Sequence, residues 1–245
     1  MPGETELRKT LLVAKRDSVA TLTLDRPPGN LIDGTLLKSL RESVETIRGD
    51  DGIRAIVITG GEDVFSEGID GGAFKSMSSA AKREFVGMGQ ETLLELERIP
   101  KPTIAAMGGK VLGAGLELAL CCDMRVASED AQLGHPEVSA GLVPMFGDTY
   151  RLGRLIGRSR ACSLIFYAEP IPAWEANEIG LVGKVTPREA LLEEARIAVG
   201  RIASQPAKAV RAAKAAMIEG DKGGIEAALG SVAGSFHGGR RRKTG

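Results

Sequence analysis

The sequence predicts an α/β core followed by an α-helical C-terminal part. Three observations predict it. Short β-branched or apolar runs alternate with helix-spaced apolar residues through the first half of the chain. Beyond residue 149 helical patterns dominate. Glycine supplies 32 of 245 residues without a collagen period, roughly double the ~7% average, so turns and close backbone approaches should be frequent.

The elements follow in order. Residues 18–24 (SVATLTL) read as a strand, stopped by RPPG at 26–29. Leu36, Leu40, Val44 and Ile47 recur at helical spacing, so a helix covers 35–48. The run 54–59 (RAIVIT) is a buried strand, and the glycine-rich loop 60–72 follows it. A helix spans 79–98, and Pro100 and Pro102 bracket the next link. TIAAM at 103–107 is another buried strand. Glycines 108, 109, 113 and 115 lead into an apolar helix at 114–122, and 123–127 returns to extended chain. After a loop over 129–148, helices are predicted at 149–166, 173–179, 188–203 and 206–219. The end of the chain is glycine-rich, with a short basic run at Arg240–Lys243 that reads as a flexible tail.

Composition narrows the function. A chain of 245 residues can bury a full core without staples. Lys plus Arg and Asp plus Glu are both 32, which argues against a nucleic-acid or acidic-membrane partner. No run approaches ~18 uninterrupted apolar residues, so no transmembrane helix is expected. The first ten residues lack the apolar stretch of a signal peptide. Three cysteines, two of them adjacent, make neither a disulfide framework nor a metal cluster, and a reducing cytoplasm is the expected location. With only two histidines, His135 and His237, carboxylates are the better candidates for chemistry.

GAGLEL at 113–118 starts like a dinucleotide fingerprint but has Leu118 where the third glycine belongs. The chain has no phosphate loop, zinc-protease motif or nucleophile elbow. The strand–glycine turn–helix order around Ala114 can instead free the Ala114 amide for a ligand, as half of an oxyanion hole. Glu117 lies one turn on, among Leu116, Leu118, Ala119 and Leu120. A glutamate buried there needs a partner or a function. Glu137, after Pro136, is a second carboxylate, and alone it reads as a loop residue. The loop Phe65–Asp70 (FSEGID) follows a buried strand. Gly68 there can leave the Ile69 amide free, and a plain turn explains it as well.

Together these segments resemble the crotonase family of enoyl-CoA hydratases and isomerases. Four stretches carry the match: FSEGID at 65–70, KPTIAAMGGKVLGAGLELALCCDMRVAS at 101–128, AQLGHPEVSAGLVP at 131–144 and IPAWEANEIGLVGKV at 171–185. They stand in family order and spacing, and the likeness covers about residues 12 to 220. The resemblance implies a spiral of ββα units over residues 1–190 and a C-terminal helical trimerisation region over 191–245. It implies a homotrimer or dimer of trimers. The substrate would be an acyl-CoA thioester, with no cofactor, because CoA is part of the substrate.

The same resemblance puts the Ile69 and Ala114 amides around the thioester carbonyl, with Gly68 and Asp70 beside them. Glu117 and Glu137 match the pair that holds and activates water in the hydratases. Enolate charge would be met by the two amides. Glu117 would act as water-orienting base and Glu137 as proton donor.

Several positions depart from the pattern. Ile69 replaces a small alanine. Met145 and Asp148 replace glycines near the acyl site. Asp148 and Glu67 read as solvated loop carboxylates or as carboxylates added near the pocket, and His135 as a structural loop histidine or one that touches the site. Arg26 and Lys101 stand where they suit either CoA phosphates or solvent. The tail at 223–245 is short and glycine-rich. An isomerase, another crotonase-family reaction such as decarboxylation or thioester hydrolysis, and a non-catalytic acyl-CoA-binding scaffold are the alternatives.

Overall fold

A computed structural model describes residues 4–8 and 10–236 of the protein. The basic run Arg240–Lys243 and His237 lie outside the described residues. The chain opens with an antiparallel meander, β1 (Glu4–Arg8), β2 (Leu11–Arg16) and β3 (Val19–Leu24). Asp17 and Ser18 join β2 to β3 with φ of 49° and 62°, the left-handed pair that a tight hairpin requires. α1 (Gly34–Gly49) is started by Asp33, whose carboxylate accepts from the Leu36 N–H at 2.9 Å.

A ββα unit then repeats. β4 (Ala55–Thr59) and β5 (Val64–Ser66) precede α2 (Gly71–Ser76) and α3 (Ser79–Glu97). β6 (Thr103–Met107) and β7 (Lys110–Leu112) precede α4 (Ala114–Leu120). β8 (Met124–Ser128) and β9 (Gln132–Gly134) precede a 3-10 turn at Pro136–Ala140, then α5 (Asp148–Ile156) and α6 (Arg158–Phe166). β10 (Ile171–Pro172), α7 (Ala173–Glu178), β11 (Lys184–Thr186), α8 (Leu191–Ala203) and α9 (Ala207–Ser235) complete the described chain.

The first strand of each unit joins a seven-stranded sheet ordered β1-β2-β3-β4-β6-β8-β11. The second strand joins a smaller sheet ordered β10-β9-β7-β5. Strands β3, β4, β6, β8 and β11 run parallel. Each unit therefore advances one strand along both sheets, which is the expected spiral.

The large sheet is covered on both faces, so its strands read as unbroken apolar runs. Ile56 and Ile58 of β4 point with Leu36, Leu40 and Val44 of α1 into the main core. Val57, one residue out of phase, points the other way onto Leu191, Ala195 and Val199 of α8.

Four differences from the sequence reading have physical causes. Strands β5, β7, β9 and β11 have only three residues each, too few to display a period. The helix expected over 149–166 is two helices, because Gly157 between them has φ 81° and ψ 150°. The segment 129–148 holds β9 and the 3-10 turn rather than open loop. The last helix extends past 219 to Ser235, with a non-helical break at Gly224.

Candidate active site

Two backbone amides come together where the small sheet meets α4. Ser66, at the end of β5, donates its hydroxyl to the Asn30 carbonyl at 2.8 Å and accepts from the Gly68 N–H at 3.1 Å. Asn30 is buried with φ 47°. Its side-chain amide donates to the Val64 carbonyl at 3.0 Å, which ties the 26–32 segment to β5. The Gly68 carbonyl accepts from the Ile32 N–H at 2.7 Å. In a trans peptide the next N–H points the opposite way, so the Ile69 amide faces away from Ile32.

The other amide belongs to Ala114. Gly113 has φ 52°, and its carbonyl accepts from the Glu117 N–H at 3.0 Å. That carbonyl points down α4, so the Ala114 N–H points out of the helix start. The two amides are neighbours: a Cβ on Gly68 would lie 3.4 Å from the Ala114 nitrogen and 2.9 Å from the Leu112 carbonyl oxygen. With φ of 91°, Gly68 occupies a conformation other residues rarely take. Two such donors suit an oxygen that gains negative charge. The Ile69 side chain is half-buried against the main core. Asp70 serves differently. Its carboxylate accepts from the Ala73 N–H at 2.9 Å and caps α2.

The carboxylates converge on the same place. Glu117 has no solvent exposure. It accepts from the backbone N–H of Phe146 at 2.7 Å, Met145 at 3.2 Å and Asp148 at 3.3 Å. Burial and the nearby Asp148 charge nevertheless push its carboxyl up to about 7, against the opposing pull of His135. Glu137 is carried in from the 3-10 turn. A Cβ on Gly113 would lie 2.7 Å from its Oε1, so only glycine leaves room for this carboxylate beside Ala114. Oε2 of Glu137 is buried without a hydrogen-bond partner among the described residues.

Asp148 corrects the sequence reading, since it is fully buried rather than a solvated loop carboxylate. His135, read as a structural loop histidine, is fully buried as well. His135 Nε2 lies 3.1 Å from Asp148 Oδ2, and Nδ1 lies 3.4 Å from Glu137 Oε1. Burial opposes a charge on this imidazole. The bonds to Asp148 and Glu137 outweigh it and push the ring up to about 10. Burial holds the Asp148 carboxyl above the usual aspartate range. Arg151 stands 3.8 Å from Asp148, donates to the Phe146 carbonyl at 2.8 Å and pairs with Glu97 at 2.8 Å. The pairing was missed because His135 and Asp148 are thirteen residues apart. The available signal was an acidic residue in place of a glycine, with a histidine already beside Glu137.

Other basic residues are placed more firmly than expected. Lys101 is buried and donates to the carbonyls of Ile47 and Asp50 at the end of α1, so its ammonium is turned away from solvent. Arg26 pairs with Asp33 at 3.0 Å and donates to the Leu31 carbonyl. Glu67 pairs with Lys110 at 2.7 Å. Met145 lines a cleft of about 550 Å³ with Phe74, Val86, Gln90, Leu142 and Thr149. From Phe74 inward, the rings of Phe74, Phe85 and Phe146 contact in sequence at 5.9 Å centroid spacing, tilted by 57° and 58°. Among the described residues no group of three His, Cys, Asp or Glu is arranged to hold a metal ion.

Known proteins are similar to this chain in sequence and fold. Residues 14–227 match the model of the enoyl-CoA hydratase/isomerase family. The chain is 38% identical over 230 residues to a crotonyl-CoA hydratase of Syntrophomonas wolfei, covering 93% of this chain and 88% of that protein. It is 38% identical over 221 residues to a short-chain-enoyl-CoA hydratase of Clostridium acetobutylicum, covering 89% and 85%. A crystal structure of enoyl-CoA hydratase from Bacillus anthracis superposes with a TM-score of 0.86 at 34% identity, covering 96% of this chain and 90% of that one.

Proposed function

This chain belongs to the enoyl-CoA hydratase/isomerase family, and on that footing we propose that it adds water across the double bond of a short α,β-unsaturated acyl-CoA. The observation that carries the reading is the convergence of Glu117 and Glu137 beside the Ala114 and Ile69 amides. Names of the relatives support a short acyl chain, and so does Met145 in the adjoining cleft.

In the proposed reaction the thioester oxygen lies between the Ile69 and Ala114 N–H groups. Attack of water at the β-carbon moves charge onto that oxygen as an enolate. Two fixed dipoles stabilise it without any titratable group, and one such donor is typically worth about 10²–10³ in rate. Glu117 takes a proton from the attacking water. Its backbone cage fixes its position, and a carboxyl raised to about 7 can exchange a proton near neutrality. Glu137 delivers a proton to the α-carbon through Oε2. A double-bond shift alone would leave Glu117 without a task, which favours hydration over isomerisation. The reaction requires no cofactor, since CoA enters and leaves with the substrate.

The remaining features are proposed on the same basis. Residues 1–190 carry the site, and the region from 191 supplies assembly contacts in a homotrimer or dimer of trimers. The exposed Met217, Ile225, Leu229 and Phe236 of the C-terminal helical region support this. A cytoplasmic location is supported by three unpaired cysteines in the chain, Cys121, Cys122 and Cys162. The test is loss of the enoyl-thioester absorbance when the protein meets crotonyl-CoA. Wild type should bleach it and Glu137→Gln should not. Binding without bleaching by wild type would overturn the reading.

A further inference from the structure

The proposed chemistry uses Glu117 and Glu137 and leaves His135 and Asp148 without a task. Both are fully buried, and the imidazole of His135 lies between the carboxylates of Glu137 and Asp148. They form a continuous chain behind Glu137: Arg151 to Asp148 at 3.8 Å, Asp148 to His135 Nε2 at 3.1 Å, and His135 Nδ1 to Glu137 Oε1 at 3.4 Å. Asp148 also donates its backbone N–H to Glu117 at 3.3 Å. One residue thus touches one carboxylate through its backbone and the other through the imidazole.

We propose that His135 and Asp148 form a buried positioning dyad for Glu137. Asp148 fixes which ring nitrogen of His135 faces it, and His135 Nδ1 holds Oε1 of Glu137. Oε2, buried and otherwise unpartnered, is then the oxygen left for proton exchange with the substrate. The dyad also balances charge. Glu117, Glu137 and Asp148 place three carboxyls in one buried cluster, which a cationic imidazole and Arg151 offset. The raised proton affinity of His135 agrees with this role. The groups facing the imidazole are Glu137 from the 3-10 turn, Asp148 from α5 and, more remotely, Glu117 from α4.

The inference rests on Glu137 being the proton donor, and its test separates the two. His135→Gln, Asp148→Asn and the double variant that combines them are assayed for kcat, KM, pH profile and melting temperature. Each single variant should lower kcat by about 10- to 100-fold, leave KM within about threefold and move the pH profile. The double variant should lose no more than the worse single one, because the pair acts as a unit. Unchanged kcat and pH profile in folded single variants would overturn the dyad while leaving hydration intact.

Ring-nitrogen NMR decides the matter apart from turnover. A His237→Gln background leaves His135 as the only histidine. Both ring nitrogens should be protonated at neutral pH, and Glu137→Gln should shift the Nδ1 resonance. An Nδ1 signal indifferent to Glu137→Gln would refute the contact, even in a protein that turns over no enoyl-CoA.

Discussion

The carboxylate of Glu117 accepts a 2.7 Å hydrogen bond from the backbone N–H of Phe146. The bond ties α4 to the segment that opens α5, so the proposed base is fixed from two elements at once. Replacing Glu117 with Gln keeps the volume but turns one acceptor into a donor. That donor must face the N–H of Met145 or those of Phe146 and Asp148. The variant should lose activity by at least about 10²-fold and stability by about 1–3 kcal/mol. Steady-state kinetics and urea unfolding check the two numbers separately.

Gly113→Ala should strike the site without replacing a carboxylate. The added Cβ would meet Glu137 Oε1 at 2.7 Å, in a backbone with φ of 52°. Strain of this kind is worth about 1–3 kcal/mol. Displacement of Glu137 should lower kcat more than it raises KM. A variant with native kcat would show that Glu137 need not sit there.

Asn30→Ala tests the support of the Ile69 amide. Asn30 accepts from the Arg26 N–H at 2.9 Å and donates to the Val64 carbonyl at 3.0 Å. Its loss should loosen β5 and the loop after it, costing about 1–3 kcal/mol. Hydrogen exchange should rise over residues 64–70, and kcat/KM should fall.

Lys101→Met separates structure from ligand binding. The Lys101 ammonium is bonded to the end of α1. Removing it should lower the melting temperature and leave KM for the CoA thioester unchanged. A KM increase without loss of stability would return Lys101 to the CoA site.

Stability should fall as pH rises through the alkaline range. His135 binds its proton more tightly in the folded protein, about 10 against an ordinary 6.5. Its contribution is complete below about pH 6.5 and is lost as pH rises toward about 10. Melting curves should therefore decline across pH 7–9, and His135→Gln should flatten that decline.

The core elements were legible because they carry their own periods. Ile56 to Ile58 and Ile104 to Met107 are runs that only a doubly covered strand explains. Leu36, Leu40, Val44 and Ile47 trace one helix face. The three-residue strands of the small sheet carry no such pattern, yet they bring residues 66–69 against α4. Glu117 was legible from its apolar neighbours, which left a buried charge to be accounted for. Glu137 needed the family motif, because nothing local distinguishes it from a loop glutamate. The His135–Asp148 pair was not legible, since their contact depends on how the 3-10 turn and α5 pack.

The most direct test is hydration of crotonyl-CoA in ¹⁸O-labelled water, read by mass spectrometry. Wild type should form a product heavier by one labelled water, and Glu117→Gln should form almost none. Bound substrate with no labelled product from wild type, or full labelling by Glu117→Gln, would contradict hydration at the Glu117–Glu137 site.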